Sequence, residues 1–262
     1  MVRAVMSQVR NAIILAAGMA RRLAPTSDLL PKGLVEIGGQ PLLLRSVELL
    51  AASGIAETLI VTGYRAAQIE AALGPRRNGM AIRYLHNPDY AETGSMVSLL
   101  AAAPQAPGPV LLLESDLLYH PAFLDAALGA EDDVLLAADL SGSGDEVYLG
   151  VDGENRLCFL GKNPPENWRR QSVGELAGIS RISRKLLTRF AAAAKRSLRA
   201  GRGNRHYEEI LFEIAAAGWP IRVQHCPGLP WTEIDTPLDL RRAHDIVWPR
   251  LAPPAEDAAQ AG

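Results

Sequence analysis

Short apolar runs alternate with helical patterns along the first half of this chain. Five runs rich in valine, isoleucine and leucine have the length and composition of buried strands: residues 11–16, 57–63, 80–86, 109–115 and 133–140. Helical patterns lie between them at residues 40–54, 64–74, 95–103 and 120–129. Repeated strands with crossover helices predict an α/β fold with a doubly wound, mostly parallel sheet. In such sheets, ligands bind in the crevice at the carboxyl ends of the strands.

The pattern changes near residue 145. Residues 146–163 alternate as a β-hairpin around a glycine-containing turn, and residues 174–183 return to a strand pattern. Two helices are predicted next, at residues 183–199 and 204–217. These added antiparallel elements predict a small lid or lobe over the crevice.

A capping box marks the start of the last helix. Thr236 and Asp239 form it, with aspartate in place of the usual glutamate. We expect a single domain over residues 1–250, with the acceptor-binding lobe within residues 140–235, and a disordered tail at residues 251–262.

Composition limits the classes of protein to which the chain can belong. Its 262 residues are 48% hydrophobic, enough for one sizeable core. A net charge of −2 provides no overall attraction for nucleic acid or an anionic membrane surface, and the two distant cysteines indicate neither a disulfide framework nor a zinc site. No signal-peptide core is present, and no apolar run approaches the roughly 20 residues that span a bilayer. We expect a cytoplasmic protein with no nucleic-acid partner and no membrane insertion; a homodimer stays open.

A loop of small residues follows the first predicted strand. Ala16, Ala17 and Gly18 allow backbone N–H groups to surround an anion, because small side chains permit close approach and glycine has wide conformational freedom. Such a loop is typical of a phosphate site. Taken alone, it is equally compatible with an ordinary strand-to-helix turn.

Basic residues recur behind this loop. The guanidinium of Arg21 or Arg22 can hold two phosphate oxygens, and Lys32, behind the stiff Pro31, supplies a point charge. Together with the loop they favour a triphosphate site. The chain has no G-x-x-x-x-G-K-[ST] sequence, and no G-x-G-x-x-G follows the first strand. These absences argue against a P-loop kinase or ATPase and against a dinucleotide-binding dehydrogenase.

The segment LAAGMARRLAPTSDLLPKGLVEIGGQPLL, which begins at Leu15, resembles the signature of a nucleotidyltransferase family. Members join a nucleoside triphosphate to a sugar phosphate or an alcohol phosphate, and their signature is L-A-A-G-x-G-x-R-L followed by P-K and a G-x-P-L helix start. Residues 87–103, 111–128 and 231–243 are similar to the cytidylyltransferase branch, which makes CDP-choline or CMP-2-aminoethylphosphonate. The resemblance covers residues 11–245 and implies a Rossmann-like fold of the nucleotide-diphospho-sugar transferase type.

The resemblance also implies roles for individual residues. Lys32 and Arg22 match the catalytic cations of the signature. The nucleotide-binding positions carried over are Leu15, Ala16, Ala17, Gly18, Thr93, Gly94 and Ser95. Thr93 or Ser95 is also a candidate N-cap of the following helix, and both roles are compatible. The choice of CTP rests on the resemblance alone. Ala20 departs from the signature, since the family has glycine there.

The implied reaction needs two carboxylates. An acceptor oxygen attacks the α-phosphorus of the triphosphate and pyrophosphate leaves, while Mg²⁺ neutralises charge from a site with one or two carboxylate ligands. Asp116, in ESD, and Asp235, in EID, match the family's metal ligands, although each alone could be a cap or turn residue. The attacking group is already ionised, so no catalytic histidine is expected. We predict His206 and His225 to be structural or surface groups.

Two sets of residues could recognise the acceptor. Trp168, Tyr207 and Trp231 could form a cage for a trimethylammonium group, or simply pack in the core. A primary ammonium requires carboxylates instead, and the acidic clusters that supply them could also be solvated loop ends. The segments GDEVY and GELAGIS resemble the aminoethylphosphonate branch more than the choline branch. The acceptor-binding residues that we predict are Asp145, Glu146, Glu175, Tyr207, Glu208 and Trp231.

These considerations predict an Mg²⁺-dependent enzyme that transfers CMP from CTP to 2-aminoethylphosphonate. The partners are then CTP and a small aminophosphonate or amino-alcohol phosphate. Three alternatives remain: a CTP:phosphocholine cytidylyltransferase, a hexose-1-phosphate nucleotidyltransferase, and a non-catalytic nucleotide-binding regulatory module. Retention of Lys32, Asp116 and Asp235 argues against the last of these.

Overall fold

The structure, a computed structural model, describes residues 9–19, 21–23, 30–169 and 172–251. Ala20, the side chain of Arg21 and residues 252–262 of the predicted tail lie outside the described residues. Leu251, which we assigned to the tail, instead ends the last helix. No described helix is both long and apolar enough to cross a bilayer.

The strands fall into one large sheet and two small ones. In chain order they are β1 (Asn11–Ala16), β2 (Glu36–Ile37), β3 (Gln40–Pro41), β4 (Glu57–Thr62), β5 (Arg76–Arg77), β6 (Met80–His86), β7 (Val110–Glu114), β8 (Leu117–Tyr119), β9 (Val134–Ala138), β10 (Tyr148–Val151), β11 (Leu157–Gly161), β12 (Ser172–Ile182), β13 (Arg222–His225) and β14 (Trp231–Glu233).

Helices connect these strands. The α-helices are α1 (Leu42–Ala52), α2 (Ala66–Leu73), α3 (Ser95–Ala102), α4 (Ala122–Gly129), α5 (Glu166–Arg169), α6 (Arg184–Arg199), α7 (Tyr207–Ala216), α8 (Pro237–Arg242) and α9 (Trp248–Leu251). Single 3-10 turns lie at Arg21–Leu23, Lys32–Leu34 and Ala103–Gln105, and a π-helical turn joins α8 to α9 at Ala243–Val247.

The large sheet has the order β11-β10-β12-β7-β1-β4-β6-β5, with β9 beside β12 and β13 beside β9. The strands β7, β1, β4 and β6 are parallel neighbours. The strand β10 is antiparallel to both of its neighbours, β11 and β12, and β12 is also antiparallel to β7 and β9. The predicted doubly wound, mostly parallel sheet is therefore confirmed, with antiparallel strands added where the sequence pattern changes.

Both faces of the central sheet are buried. In β1, Ile13 and Leu15 enter the core on the side of α3, α6 and α7, whereas Ala12 and Ile14 enter the core on the side of α1, α2 and α4. This explains why the strand reads as a continuous apolar run: a strand covered by helices on both faces has no polar side.

Candidate active site

The ammonium of Lys32 lies between the carboxylates of Asp116 and Asp235. Its Nζ donates a hydrogen bond to Asp116 Oδ2 at 2.9 Å and another to Asp235 Oδ1. The three side chains are only 19%, 10% and 13% exposed. Burial acts to lower the pKa of Lys32, but attraction to Asp116 and Glu233 outweighs it, so that this pKa lies above its ordinary value. Lys32 is therefore a stable cation at neutral pH.

Strand pairing brings the two aspartates together. The short strands β8 and β14 form an antiparallel ladder in which Leu117 pairs with Glu233, and the N–H of Ile234 donates to the carbonyl of Asp116 at 3.0 Å. Asp116 precedes one strand and Asp235 follows the other, so they lie at the same end of the ladder. Neither strand was predicted from the sequence.

A cavity of about 230 Å³ opens at the carboxyl ends of β1 and β7. All seven predicted nucleotide-binding residues line it: Leu15, Ala16, Ala17, Gly18, Thr93, Gly94 and Ser95. Lys32 and Asp116 line it as well. Gly18 does not have a positive φ, and apart from its chain neighbours no atom of the described residues lies within 4 Å of where its Cβ would be. Its contribution is thus open space beside the backbone rather than an unusual dihedral angle. We call this space the nucleotide cavity.

Residues 93–95 form one wall of the nucleotide cavity, and the N-cap of α3 within them is not the predicted residue. The N-cap of α3 is Gly94, without a side-chain hydrogen bond. Thr93 Oγ1 donates to the carbonyl of Asp89 at 2.6 Å, and Ser95 Oγ accepts from the N–H of Tyr207 at 3.1 Å. The N-cap alternative for Thr93 or Ser95 is therefore wrong, and both hydroxyl groups are held by other parts of the chain.

A second cavity, of about 160 Å³, adjoins the first. Five of the six predicted acceptor-binding residues line it: Asp145, Glu146, Glu175, Glu208 and Trp231. Arg22 and Asp235 line it too, whereas Glu114, His206 and Glu208 line both cavities. The two cavities therefore meet at these three residues. We call the second space the acceptor cavity.

Two cations in the acceptor cavity share one carboxylate. Arg22 bonds to Asp145 and also to Asp235, and Lys162 Nζ donates to Asp145 Oδ1 at 2.7 Å. Partial burial acts to raise the pKa of Asp145, but the hydrogen bonds from Arg22 and Lys162 outweigh it and leave this pKa below its ordinary value. Asp145 is therefore ionised and already engaged by two cations, while Arg22 joins the acceptor cavity to Asp235.

Among the described residues, no cation donates a hydrogen bond to the carboxyl groups of Glu114, Glu208 or Glu175. Burial, with the nearby charges of Asp116 and Glu208, raises the pKa of Glu114 to about 8. Burial also raises the pKa values of Glu208 and Glu175 to about 7. Glu175 Oε2 accepts hydrogen bonds from the N–H and Oγ of Ser141 at 3.0 and 3.1 Å. The cavity thus holds carboxyl groups that a bound cation would ionise.

The three aromatic candidates do not form a cage. Trp231 lines the acceptor cavity. Tyr207 does not line it; its hydroxyl group donates to Glu114 Oε1 at 2.7 Å. Trp168 stacks on Phe159, with ring centroids 6.2 Å apart. Of these three aromatic residues, only Trp231 is among the described residues that line the acceptor cavity. A cage would need the other two beside it.

The carboxylates fit a divalent metal ion. Asp116 and Asp235 converge on one cation, the Lys32 ammonium, and Asp116 also belongs to a group with Glu114 and Glu233 whose oxygens lie within 4.8 Å of one another. Carboxylate oxygens are the ligands that Mg²⁺ prefers in proteins. Either arrangement of oxygens could hold such an ion.

Sequence reasoning missed several residues of the acceptor cavity, among them Glu114, Lys162, His206 and Glu233. Lys162 ends the predicted hairpin, and a lysine at a strand end near the crevice was the available signal. His206, predicted as a structural or surface group, lines both cavities; its Nδ1 lies 3.2 Å from Ser95 Oγ, and burial lowers its pKa. His225 is exposed and bonded to Asp139 at 2.8 Å, as a surface group would be.

A larger opening of about 530 Å³ lies elsewhere, near Asn155, Arg222 and His225. None of the predicted site residues lines it. Its volume exceeds that of the other two cavities, but the convergence of charged side chains identifies the candidate active site.

Comparison with known proteins shows the family of the chain. Residues 12–207 match the model of a family described as the MobA-like NTP transferase domain. The chain belongs to this family. The nucleotidyltransferase family implied by the sequence signature is thereby confirmed.

Curated relatives span almost the whole chain. CMP-5'-(3-aminopropyl)phosphonate synthase of Streptomyces rubellomurinus is 29% identical over 253 residues, which are 94% of this chain and 39% of that protein. The bifunctional IPC transferase and DIPP synthase of Rubrobacter xylanophilus is 30% identical over 242 residues, which are 90% of this chain and 52% of that protein. The chain thus spans about half or less of the length of these two relatives.

Solved structures share the fold. The inositol-1-phosphate CTP transferase of T. maritima has a TM-score of 0.73 at 21% identity, covering 88% of this chain and 91% of its own. The CTP:phosphocholine cytidylyltransferase of Streptococcus pneumoniae has a TM-score of 0.76 at 20% identity, covering 91% and 99%. The fold is therefore that of the nucleotide-diphospho-sugar transferases.

Proposed function

We propose that the chain is a divalent-metal-dependent cytidylyltransferase that transfers CMP from CTP to 2-aminoethylphosphonate or a closely related aminophosphonate, with release of pyrophosphate. The observation that carries this proposal is the cluster of Lys32, Asp116 and Asp235, which links two adjoining cavities: Lys32 and Asp116 line the nucleotide cavity, and Asp235 lines the acceptor cavity. One cavity has the small-residue loop of a nucleotide site. The other contains both cations for an anionic group and carboxyl groups for an ammonium.

The nucleotide would lie along the first cavity. We assign its phosphates to the backbone N–H groups of Ala16, Ala17 and Gly18 and to Lys32, and its base to the wall at Thr93–Ser95. These assignments are supported by the position of the residues around one space. A lysine beside two carboxylates can turn to phosphate oxygens when these arrive, because its stem is flexible and its charge is compact.

The acceptor phosphonate would bind beside Arg22 and Lys162. Both cations face the acceptor cavity and share Asp145, which orients them. One ionised phosphonate oxygen attacks the α-phosphorus of CTP, a new P–O bond forms, and the bond to pyrophosphate breaks. The attacking oxygen carries no proton that must be removed, so the proposal needs no general base.

A divalent ion, which we take to be Mg²⁺, would be held by Asp116 and Asp235 and, when bound, would neutralise charge on the triphosphate. Asp116 and Asp235 are oriented for this by the β8–β14 ladder.

The ammonium of the acceptor is assigned to Glu175 and Glu208, with Glu146 nearby. These residues line the same cavity, and Glu175 and Glu208 carry raised pKa values that a bound ammonium would lower again. Asp145 is occupied by two cations, so we assign it to positioning. The lack of a cage around Trp231 supports a primary ammonium over choline, and the aminopropylphosphonate named for the Streptomyces relative is an acceptor of this class.

A panel of substrates tests this assignment. CTP, UTP, ATP and dTTP are each combined with 2-aminoethylphosphonate, 3-aminopropylphosphonate, phosphocholine and glucose 1-phosphate, and pyrophosphate release is measured. We expect the highest kcat/KM for CTP with one of the two aminophosphonates. A preference for phosphocholine or glucose 1-phosphate would overturn the acceptor but keep the cytidylyltransferase if CTP is the preferred donor. A preference for UTP, ATP or dTTP would overturn the cytidylyltransferase, and no turnover with any pair would favour a regulatory module.

A further inference from the structure

Helix α6 and the loop after it concentrate positive charge. Between Ser183 and Tyr207 the sequence has eight lysines and arginines and no aspartate or glutamate, although the whole chain has 27 basic and 29 acidic residues. Seven of the eight are exposed: Arg184, Lys185, Arg189, Lys195, Arg196, Arg199 and Arg202. We call the surface formed by these seven residues the basic face.

The periodicity of α6 directs these charges to solvent. The helix buries one stripe of residues against the core: Leu186, Leu187, Phe190, Ala193, Ala194 and Ser197. Residues outside this stripe lie on the opposite side of the helix. The basic face is therefore a continuous surface of the folded protein, and it includes no residue that lines the nucleotide or acceptor cavity.

Most of these charges are not neutralised within the protein. Arg196 has only a long ion pair with Glu213, at 3.8 Å, and Arg189 lies over the Trp219 ring, 4.2 Å from its centroid. Four other residues of the basic face form no ion pair with an acidic side chain in the part of the chain that the structure describes. They are Lys185, Lys195, Arg199 and Arg202.

The spacing of the charges also opposes helix formation. Lys185 with Arg189, and Lys195 with Arg199, are like-charged pairs one turn apart, and such pairs destabilise a helix. An anionic partner would remove this repulsion.

The shape of the basic face favours a plane of charge over a single anion. Its cations follow one straight helix of 16 residues, which is about 24 Å long at 1.5 Å per residue. Apolar groups lie among them: Leu198 is 37% exposed, and a groove of about 320 Å³ with an alanine- and proline-containing floor lies between Arg184 and Lys195. The apolar stripe of α6 is itself buried in the core, so the charges would make the contact; a cluster of about four to eight basic residues on an amphipathic helix is typical of binding to anionic lipid headgroups. Phosphates of a nucleic acid would use the charges but not the apolar groups.

We propose that the basic face docks this protein on the surface of a bilayer that contains anionic phospholipid. Each basic residue near such a surface strengthens binding by about fivefold at moderate salt. The contact is peripheral. Because the basic face excludes the lining of both cavities, the docked protein keeps its candidate active site accessible to soluble substrates.

Vesicle sedimentation of the full chain tests this proposal. Vesicles of phosphatidylcholine alone are compared with vesicles containing phosphatidylglycerol, at 0.1 M and 0.5 M salt, conditions that change the screening length about twofold. We expect binding only to the anionic vesicles and only at the lower salt. Absence of binding to anionic vesicles at 0.1 M salt, or equal binding to both compositions, would overturn the proposal.

Charge reversal locates the surface. In the test variant, Lys185, Lys195 and Arg199 are changed to glutamate; in the matched control, Arg10, Arg76 and Arg241, which are exposed elsewhere, are changed to glutamate. Both variants change the net charge equally. We expect at least a hundredfold weaker partitioning for the test variant and less than fivefold for the control, with circular dichroism confirming that both are folded. Equal losses in the two variants would overturn the assignment to α6.

Competing polyanions distinguish the occupant. Duplex DNA and polyglutamate are added to the wild-type chain at the same concentration of negative charge as the vesicles. Tighter binding to either than to anionic vesicles would replace the bilayer by that class of partner. Pyrophosphate release with soluble substrates should be unchanged in the test variant, so the docking proposal and the proposed function can fail separately.

Discussion

Lys32 Nζ lies 2.9 Å from Asp116 Oδ2 and bonds at the same time to Asp235. The Lys32 ammonium therefore lies at the position at which two proposed metal ligands converge. A metal ion and this ammonium compete for the same oxygens. Phosphates of a nucleotide would draw Lys32 away, so nucleotide and metal should bind more tightly together than apart.

Replacing Lys32 with methionine should strengthen metal binding in the absence of nucleotide. Removal of the competing charge is expected to lower the Kd for Mn²⁺ at least tenfold, or about 1.4 kcal/mol, as measured by calorimetry or electron paramagnetic resonance. Turnover should fall by about 10² to 10³ because a phosphate-binding cation is lost. Lys162→Met is the control, since Lys162 bonds to Asp145 rather than to Asp116. An unchanged or weaker affinity for Mn²⁺ would refute the competition.

Asp116→Asn and Asp235→Asn should each abolish pyrophosphate release. Since both are proposed to hold one ion, the double variant should be scarcely worse than either single variant. Single-turnover rates of the three proteins measure this coupling. Asp125→Asn, at an exposed position of α4, is the control and should keep full activity. Two modest and additive losses would instead mean that the aspartates act as separate structural residues.

The pH dependence of acceptor use should report Glu175. Burial raises its pKa to about 7, so below pH 7 the free protein carries a neutral carboxyl group that cannot pair with an ammonium. We expect kcat/KM for 2-aminoethylphosphonate to fall with decreasing pH on this side. In Glu175→Gln this loss should be smaller, because only Glu208 still titrates near pH 7 beside the ammonium, and the value at pH 8 should be about tenfold to hundredfold lower, as for a lost charge-assisted hydrogen bond. The ratio of the two profiles removes the titration of the substrate itself; a flat ratio would exclude Glu175.

Glu175 should also make the stability of the protein depend on pH, but here the effect is a loss as pH rises. A carboxyl group whose pKa is higher in the folded protein favours folding most at low pH, and this contribution is lost as pH rises toward the folded-state pKa. The Tm of the wild-type protein should therefore fall relative to that of Glu175→Gln between about pH 4.5 and 7, and the difference should level off above this range. Thermal unfolding at several pH values measures it. A difference that is independent of pH would contradict the burial of an ionisable group.

Two glycines of the nucleotide cavity should respond differently to alanine. A Cβ on Gly94 would lie 2.1 Å from the carbonyl oxygen of Arg205, whereas one on Gly18 would have no neighbour within 4 Å among the described residues beyond those adjacent in the chain. Gly94→Ala should lower the free energy of unfolding by about 1 to 3 kcal/mol through overpacking. Gly18→Ala should leave stability unchanged but weaken CTP binding, because its methyl group enters space proposed for phosphate. Urea unfolding and CTP titration separate the effects, with Gly108→Ala as the unhindered control; the same result for both glycines would refute this division.

Asp239 should stabilise the end of the site. Its Oδ2 accepts from the N–H and Oγ1 of Thr236 at 2.9 and 2.8 Å and from the N–H of Asp235 at 3.2 Å, and its other oxygen pairs with Arg242. Asp239→Ala keeps the Thr236 N-cap but removes the reciprocal half of the capping box and leaves Arg242 without this partner, so unfolding should become easier by about 2 to 4 kcal/mol. Asp239→Asn keeps an acceptor oxygen and should cost less. Equal stability of the two variants in urea would contradict the role of the hydrogen bonds.

The sequence predicted the central sheet well because the signal is local. The continuous apolar run of β1 reflects burial on both faces, and its predicted bounds agree with Asn11–Ala16. The antiparallel hairpin of β10 and β11 was visible from alternation and a turn. The short strands β8 and β14 could not be predicted, because the hydrophobic pattern of three residues does not distinguish a strand from a loop.

What the sequence by itself determined is which residues follow each strand: the small-residue loop after β1, Lys32 behind Pro31, and the aspartates Asp116 and Asp235. Their spacing along the chain was sufficient for family membership. Only the tertiary structure decided how they meet. The β8–β14 ladder places the two aspartates on one lysine.

Long-range packing likewise decided how the other candidates are used. Asp145 forms an ion pair with Arg22, 123 residues away in sequence. Its carboxylate is therefore already engaged and is not assigned to the ammonium of the acceptor. Tyr207 turns to Glu114 instead of the acceptor cavity. The physical reason is that hydrophobic periodicity and turn chemistry act between neighbours in sequence, whereas ion pairs and cavity walls form between segments whose proximity exists only after the whole core has packed.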